Sequence, residues 1–441
     1  MIFCVAKWGN LMINRMVNII NSKNYVNLLL LFGIIYCFYP VSSFHSTIGI
    51  ASLIFIICNY KKIVLNSRFY AVTFFCLWLF IAALANYEIS FWDNFGIIKK
   101  NFYFYFFFIF LGIYFSENGV KKFLKYFVNT ASIFTVIGFI EVFSGEYLDK
   151  FYTIFRDGRD NPHLIFSDNL NRLLSVCPKY DPNYVGFLLT LPFIMSLYFT
   201  FKESNNKLKW SLYSLFFGIG IIFTGSRGAI LIAVCSIIAF GILLLWFTKE
   251  KKYLKYLVTI ILLICGSFIV INSFTSNNIL SHKMVALEKG ALYDNRSSEG
   301  MRIAMAEAAV DIIKENPLTG LSFTGFREYT RGTTVYSQNF KERPFSDPHN
   351  LILSLAVEGG LPVALTYIYL LLSPLFIKIK KTMIDFYDDK FWILGWVCCY
   401  IFTIPFEYSL RDECRFMLIY IFFALIIFYC NYGRNYNEYH L

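Results

Sequence analysis

The sequence predicts an all-α polytopic membrane protein of about twelve transmembrane helices. Three observations carry this. Only 16% of the 441 residues are charged, against roughly 25% in soluble domains. The apolar residues are gathered in long runs rather than scattered. Many of these runs approach the ~20 residues an α-helix needs to cross the hydrocarbon core. The formal charge of +11 raises the nucleic-acid class, but no nucleic-acid motif accompanies it. In a membrane protein lysine and arginine act first as topology signals.

Taken in order, the spans lie near 25–41, 46–60, 69–86, 101–115, 126–143 and 183–201, then 211–223, 227–247, 254–272, 351–378, 391–408 and 414–430. The first follows Lys7, Arg15 and Lys23 without a small-residue cleavage site and reads as an uncleaved anchor. Every even-numbered span ends in a basic loop: Lys61, Lys62 and Arg68; Lys121, Lys122 and Lys125; Lys202, Lys207 and Lys209; Lys249, Lys251, Lys252 and Lys255; Lys378, Lys380, Lys381 and Lys390. Those loops and both termini are therefore expected in the cytoplasm. The whole chain, 1–441, forms one transmembrane domain, with two long outer loops at 144–182 and 273–350. Most cysteines fall inside apolar runs, and no Cys-x-x-Cys spacing indicates a zinc site or disulfide framework.

Lysine gathers on the cytoplasmic side, whereas most arginines fall on the outer side. The planar guanidinium binds phosphate through two parallel hydrogen bonds, so an arginine-rich outer face suggests a diphosphate ligand. Arg156, Arg159 and Arg172 lie in the first outer loop, and Arg302, Arg327, Arg331 and Arg343 in the second.

Three motifs face the same side. Thr224-Gly225-Ser226-Arg227-Gly228 is a tight turn that puts Arg227 at the membrane boundary. Asp347-Pro348-His349-Asn350-Leu351 leads into the tenth span: Asp347 is expected as its N-cap and Pro348 as its first residue. His349 then falls in the first turn, where the helix dipole disfavours the imidazolium and a neutral general base is possible. Read alone, it simply caps its helix. Asp181-Pro182-Asn183 repeats the construction at the sixth span, giving a second outward helix start suited to anions. Between them, Met301, Ala304, Met305, Ala308 and Ile312 recur at helical spacing, predicting an amphipathic helix over 298–313 that Asn316-Pro317 ends. No Walker loop, Asp-x-Asp pair or His-Glu-x-x-His is present. A pre-activated, lipid-borne donor fits better than ATP or a nucleotide sugar.

Together these elements resemble the O-antigen ligase and polymerase superfamily of bacterial envelope glycosyltransferases. The carrying residues are 224–228, Arg302 with Glu315-Asn316-Pro317-Leu318-Thr319-Gly320, and Pro348-His349-Asn350-Leu351 running into Glu358-Gly359-Gly360-Leu361-Pro362. The resemblance spans roughly residues 180–370; Gly320-Leu321-Ser322 departs from the family's usual Gly-x-Gly-like stretch. It implies a GT-C-like bundle in the bacterial inner membrane, with no cofactor or metal and a periplasmic active site. The donor would be an undecaprenyl-diphosphate-linked glycan and the acceptor a second glycan or lipid A–core, with a chain-length regulator and a flippase as partners. It implies His349 as the catalytic base and Arg227 and Arg302 as diphosphate ligands, joined by Arg156 or Arg159; Asn183 and Asn350 complete the expected substrate contacts. Polymerase and ligase share these motifs, and the composition leans toward polymerase. An anion transporter is the competing class; it requires membrane-embedded charges such as Glu141, Glu358 and Glu407 and an inverted repeat, and no repeat is evident.

Overall fold

The computed structural model describes residues 15, 17–39, 44–144, 182–248, 258, 298–332, 347–376, 391–403 and 413–438. The described residues form helices α1 (Lys23–Phe38), α2 (Phe44–Asn59), α3 (Ser67–Ala85), α4 (Tyr87–Asn118), α5 (Lys121–Ser144), α6 (Pro182–Lys202) and α7 (Lys207–Phe223). They continue with α8 (Arg227–Thr248), α9 (Ser298–Glu315), α10 (Ser322–Gly332), α11 (Leu351–Leu372), α12 (Phe391–Thr403) and α13 (Glu413–Glu438). Six of them contain segments long and apolar enough to cross a membrane, and shorter apolar stretches lie in α1, α8 and α13. The protein is a polytopic membrane protein. The first eight and last three predicted spans each coincide with a helix; the ninth, 254–272, lies outside the described residues except for Val258.

Two elements differ from expectation. α4 begins at Tyr87, not near 101, and its 32 residues extend about 48 Å, well beyond a ~30 Å hydrocarbon core. Residues 87–100 fall between the third and fourth predicted spans, but Asn94, Ile98, Asn101, Phe104 and Phe108 form a buried helical stripe through that region. α10 was not expected at all; Phe323 and Phe326 bury one side of it and leave Arg327, Glu328 and Arg331 exposed.

Side-chain contacts fix the helix directions. Tyr184 near the start of α6 donates to Cys37 O near the end of α1 (2.8 Å). Trp396 donates to Leu191 O (3.3 Å), which sets α12 against α6, and Tyr400 donates to Leu418 O (3.2 Å), which sets α13 against α12. Asn66, ahead of α3, meets Asn431 in α13 (2.8 Å). Arg68 meets Ser373 just after α11 (3.2 Å). The spanning helices therefore run up and down, with Lys23, Lys62, Lys121, Lys125, Lys207 and Lys209 at one end. α6 is central: every residue from Tyr184 to Thr200 is buried. Several polar groups inside the bundle pair across helices. Tyr420 donates to Asn101 Oδ1 (2.6 Å), and Asn101 Nδ2 donates to Cys76 O (3.1 Å), tying α13, α4 and α3 together.

α11 is broken at Gly360 (φ 76°, ψ 175°). A continuous helix would bond Leu361 N–H to Val357 C=O. Here Leu361 N donates instead to Pro317 O (2.8 Å), and Val357 O accepts from Leu321 N (2.7 Å). The 317–321 turn thus satisfies both groups freed by the break, each of which would cost several kcal/mol if left unpaired in lipid. The approach leaves no room for side chains: a Cβ on Gly360 would collide with Leu318 O, and one on Gly320 (φ 57°) with Val357 O. Trp78 Nε1 donates to Leu318 O (3.0 Å) and Asn86 Nδ2 to Gly320 O (3.2 Å). Since Trp78 lies two turns before the end of α3, the turn reaches about 10 Å down the bundle.

Candidate functional site

The starts of α6, α8 and α11 all lie at the end of the bundle away from the lysines. At the first two, Gly225 (φ 62°) makes the sharp turn between α7 and α8. Thr224 Oγ1 donates to Ile221 O (2.6 Å) and accepts from Ser226 N–H (3.2 Å), closing the turn. Ser226 then caps α8, its Oγ accepting from Ala229 N–H (3.2 Å) while donating to Asn183 Oδ1 at 2.5 Å. Gly186, one turn into α6, lies so close to Ala229 that a Cβ there would collide with the alanine methyl. Asn183, expected to touch substrate, therefore joins two helix starts. Arg227 is the first residue of α8; its side chain lies outside what the structure describes.

The α11 start differs from its predicted form. Asn350, not Asp347, is the N-cap: its side chain accepts from Leu353 N–H (3.1 Å) and the helix begins at Leu351. Asp347 is spent elsewhere, its Oδ1 accepting from His349 N–H at 3.0 Å. That local turn competes with capping and displaces the helix start by three residues. His349 thus precedes the helix in the left-handed region (φ 51°), which a residue without glycine's freedom enters at a cost of about 1–3 kcal/mol. Its Nδ1 lies 3.8 Å from Asp347 Oδ1; the carboxylate side chain is 7% exposed and the imidazole 28%. The helix-dipole argument for a neutral imidazole gives way to a different one: a buried carboxylate beside the ring favours its protonated form as it accepts a proton. Asn350, also expected at the substrate, has its side-chain oxygen engaged in capping.

Arg302 is exposed near the start of α9, a helix that forms as expected and runs two residues past Ile313. Met305, Ala308, Ala309 and Ile312 are buried in one apolar cluster with Val357 and Phe326. This lays α9 along the first half of α11, the half that follows His349. Arg156 and Arg159 lie outside the described residues. The structure thus assembles two local groups, Asn183–Ser226 beside Arg227 and Asp347–His349–Asn350, with the Arg302 helix packed on α11.

Ser226 and the partnership of Asp347 with His349 were not anticipated. A serine three residues ahead of Ala229 at the start of an apolar run is an N-cap signal. The Asp-x-His contact has no such signature, because it depends on a left-handed histidine.

An up-and-down apolar bundle with polar helix starts gathered at one end defines a polytopic membrane protein whose candidate site lies at that end. Residues 212–368, which hold Arg227, Arg302 and His349, match the family described as Wzy_C: O-antigen ligase. The match covers about a third of the chain; enzymes of that family transfer lipid-linked glycans. No curated protein matches the chain.

Proposed function

We propose that this protein is an O-antigen polymerase of the bacterial inner membrane. It transfers an undecaprenyl-diphosphate-linked glycan to the sugar of another lipid-linked repeat unit on the periplasmic face. The reading rests on His349, held in a strained backbone conformation beside the buried carboxylate of Asp347 within the matched family domain. The acceptor hydroxyl gives its proton to the His349 imidazole as its oxygen bonds to the donor's anomeric carbon. The bond from that carbon to the diphosphate breaks, and its electron pair leaves with the lipid diphosphate. Arg227, Arg302 and either Arg156 or Arg159 stabilise the growing negative charge, while Asp347 stabilises the imidazolium.

In this orientation the lysine-rich end faces the cytoplasm, and the segments 144–182 and 273–350 are periplasmic loops. Ligation to lipid A–core is the second reading, favoured by the description of the matched family. Reconstitution with a synthetic undecaprenyl-diphosphate repeat unit separates the two. Longer lipid-linked chains from the repeat unit alone are expected; product formed only when lipid A–core is added assigns the ligase. If neither forms while an anion crosses sealed vesicles, the transporter reading replaces both.

A further inference from the structure

At the lysine-rich end, far from His349, an apolar cavity of about 130 Å³ opens between α3, α4 and α13. Its walls include Phe69, Phe108, Ile109, Ile113, Ile427 and Phe428. Its existence traces to one residue. In the aromatic run Phe102–Phe115 of α4, Gly112 alone has no side chain, and a Cβ built there meets nothing within 4 Å. Any larger residue would fill the space. The volume compares with apolar cavities that take up a benzene ring, which corresponds to about six carbons of a hydrocarbon chain.

The mouth has the chemistry of a bilayer boundary. Ile63 and Val64 line one lip and follow directly on Lys61 and Lys62; Ser116 lines the other and precedes Glu117. Lys62 Nζ and Glu117 Oε1 meet across it at 2.7 Å. Tyr60, Lys61, Val64 and Leu65 are all exposed, an aromatic, basic and apolar mixture suited to the headgroup level. Arg68 adjoins the wall residue Phe69. Arg68 itself is turned to Ser373 (3.2 Å), so Lys61 and Lys62 are the cations at the mouth, with Glu117 opposite.

We propose that this cavity is a binding site for an anionic phospholipid, with an acyl chain beside Gly112 and the phosphate at Lys61 and Lys62. The site is independent of the glycan-transfer reading.

The test is native mass spectrometry of the detergent-purified full-length protein with phosphatidylglycerol or phosphatidylethanolamine of matched chains. The wild type should take up a first phosphatidylglycerol in clear preference to phosphatidylethanolamine. Gly112→Leu should abolish that preference. Lys61→Gln should weaken the first binding about fivefold, the effect of one cation near an anionic headgroup. Equal binding of the two lipids by the wild type, or a Gly112→Leu protein indistinguishable from it, overturns the site. A second measurement needs no variant. A phosphatidylglycerol with a diazirine in its acyl chain should label the wild-type peptide holding Ile109–Ile113, and labelling that avoids this peptide also overturns the proposal.

Discussion

The two ends of the bundle meet the same demand, finishing helices at a bilayer boundary, by different means. At the lysine-rich end the solutions are regular. Ser22 and Asn66 cap α1 and α3, Gly119 ends α4 at a positive φ (66°) with an extended ψ (−177°) that glycine adopts freely, and charges meet as ion pairs. In the other half the backbone is strained. Gly225, Gly320, Ser322, His349 and Gly360 all have positive φ, and two of the five are not glycine. Strain of this kind persists where the surroundings over-determine it, and it concentrates at functional sites. One end is built to stand; the other holds particular groups in places they would not otherwise occupy.

The sharpest way to break this contrast is at His349. His349→Ala keeps a Cβ at the same left-handed φ and should leave the fold in place, yet glycan transfer in the reconstituted assay should fall by about 10²–10⁴-fold, the usual contribution of a general base. Near-normal turnover would remove His349 as the base and leave its strain without a purpose. Next comes Gly360→Ala, which places a methyl against Leu318 O at a positive φ. Separating α11 from the 317–321 turn should cost roughly 3 kcal/mol or more, read as a lower melting temperature in detergent. At Gly112 the larger substitution Gly112→Leu should leave the melting temperature nearly unchanged.

How much of this could be read beforehand follows the same division. The lysine-rich end was legible because hydropathy and basic loops act locally: the spans leading to Lys61, Lys121 and Lys202 were placed from residues adjacent in sequence. The amphipathic stripe of α9 was legible too, since Met305, Ala308 and Ile312 carry their own period. What escaped depends on contacts distant in sequence. Gly360 entered only as part of a family motif, and nothing local says that α11 breaks there or that Pro317 and Leu321, some forty residues earlier, satisfy the broken helix. Asn183 and Ser226 were each noticed in a motif, and only the fold joins them. Asp347 fits every rule for an N-cap, yet its bond to His349 N–H moved the helix start to Asn350. At this site the usual local rule gives way to a less common geometry.

Asp347→Asn sharpens that last point. The amide oxygen can still accept from His349 N–H, so the turn should survive while the negative charge disappears. Two unit charges about 4 Å apart interact by about 4 kcal/mol at an effective dielectric near 20. With the imidazole partly exposed, the loss of transfer should be smaller than that implies, about 10- to 100-fold. It should appear mainly in kcat, and the acidic limb of the pH–rate profile, where the base is protonated, should shift to lower pH. An unchanged profile would reduce Asp347 to a turn-former.

The smallest effect is expected at the lysine-rich end, from a carboxylate that gathers several donors. Glu203, between α6 and α7, accepts from Lys125 (2.7 Å) and Lys121 (3.1 Å) on Oε1 and from Trp210 Nε1 (2.9 Å) on Oε2. Burial pushes its pKa up. The bonds from Lys125, Trp210 and Lys121, together with the charge of Lys125, outweigh burial and hold the pKa at about 2, against an ordinary 4.5. A pKa lowered by folding means the carboxylate stabilises the native state above pH 4.5, and that this contribution fades as pH falls toward 2. Glu203→Gln should therefore melt below the wild type at pH 7, with the gap closing as the pH is lowered through that window. Transfer at pH 7 should be nearly unaffected, because the α5–α6–α7 junction lies at the far end of the bundle from His349. A Glu203→Gln protein with normal melting but impaired transfer would contradict the division: the lysine-rich end would then take part in the chemistry, not only in anchoring the helices that carry it.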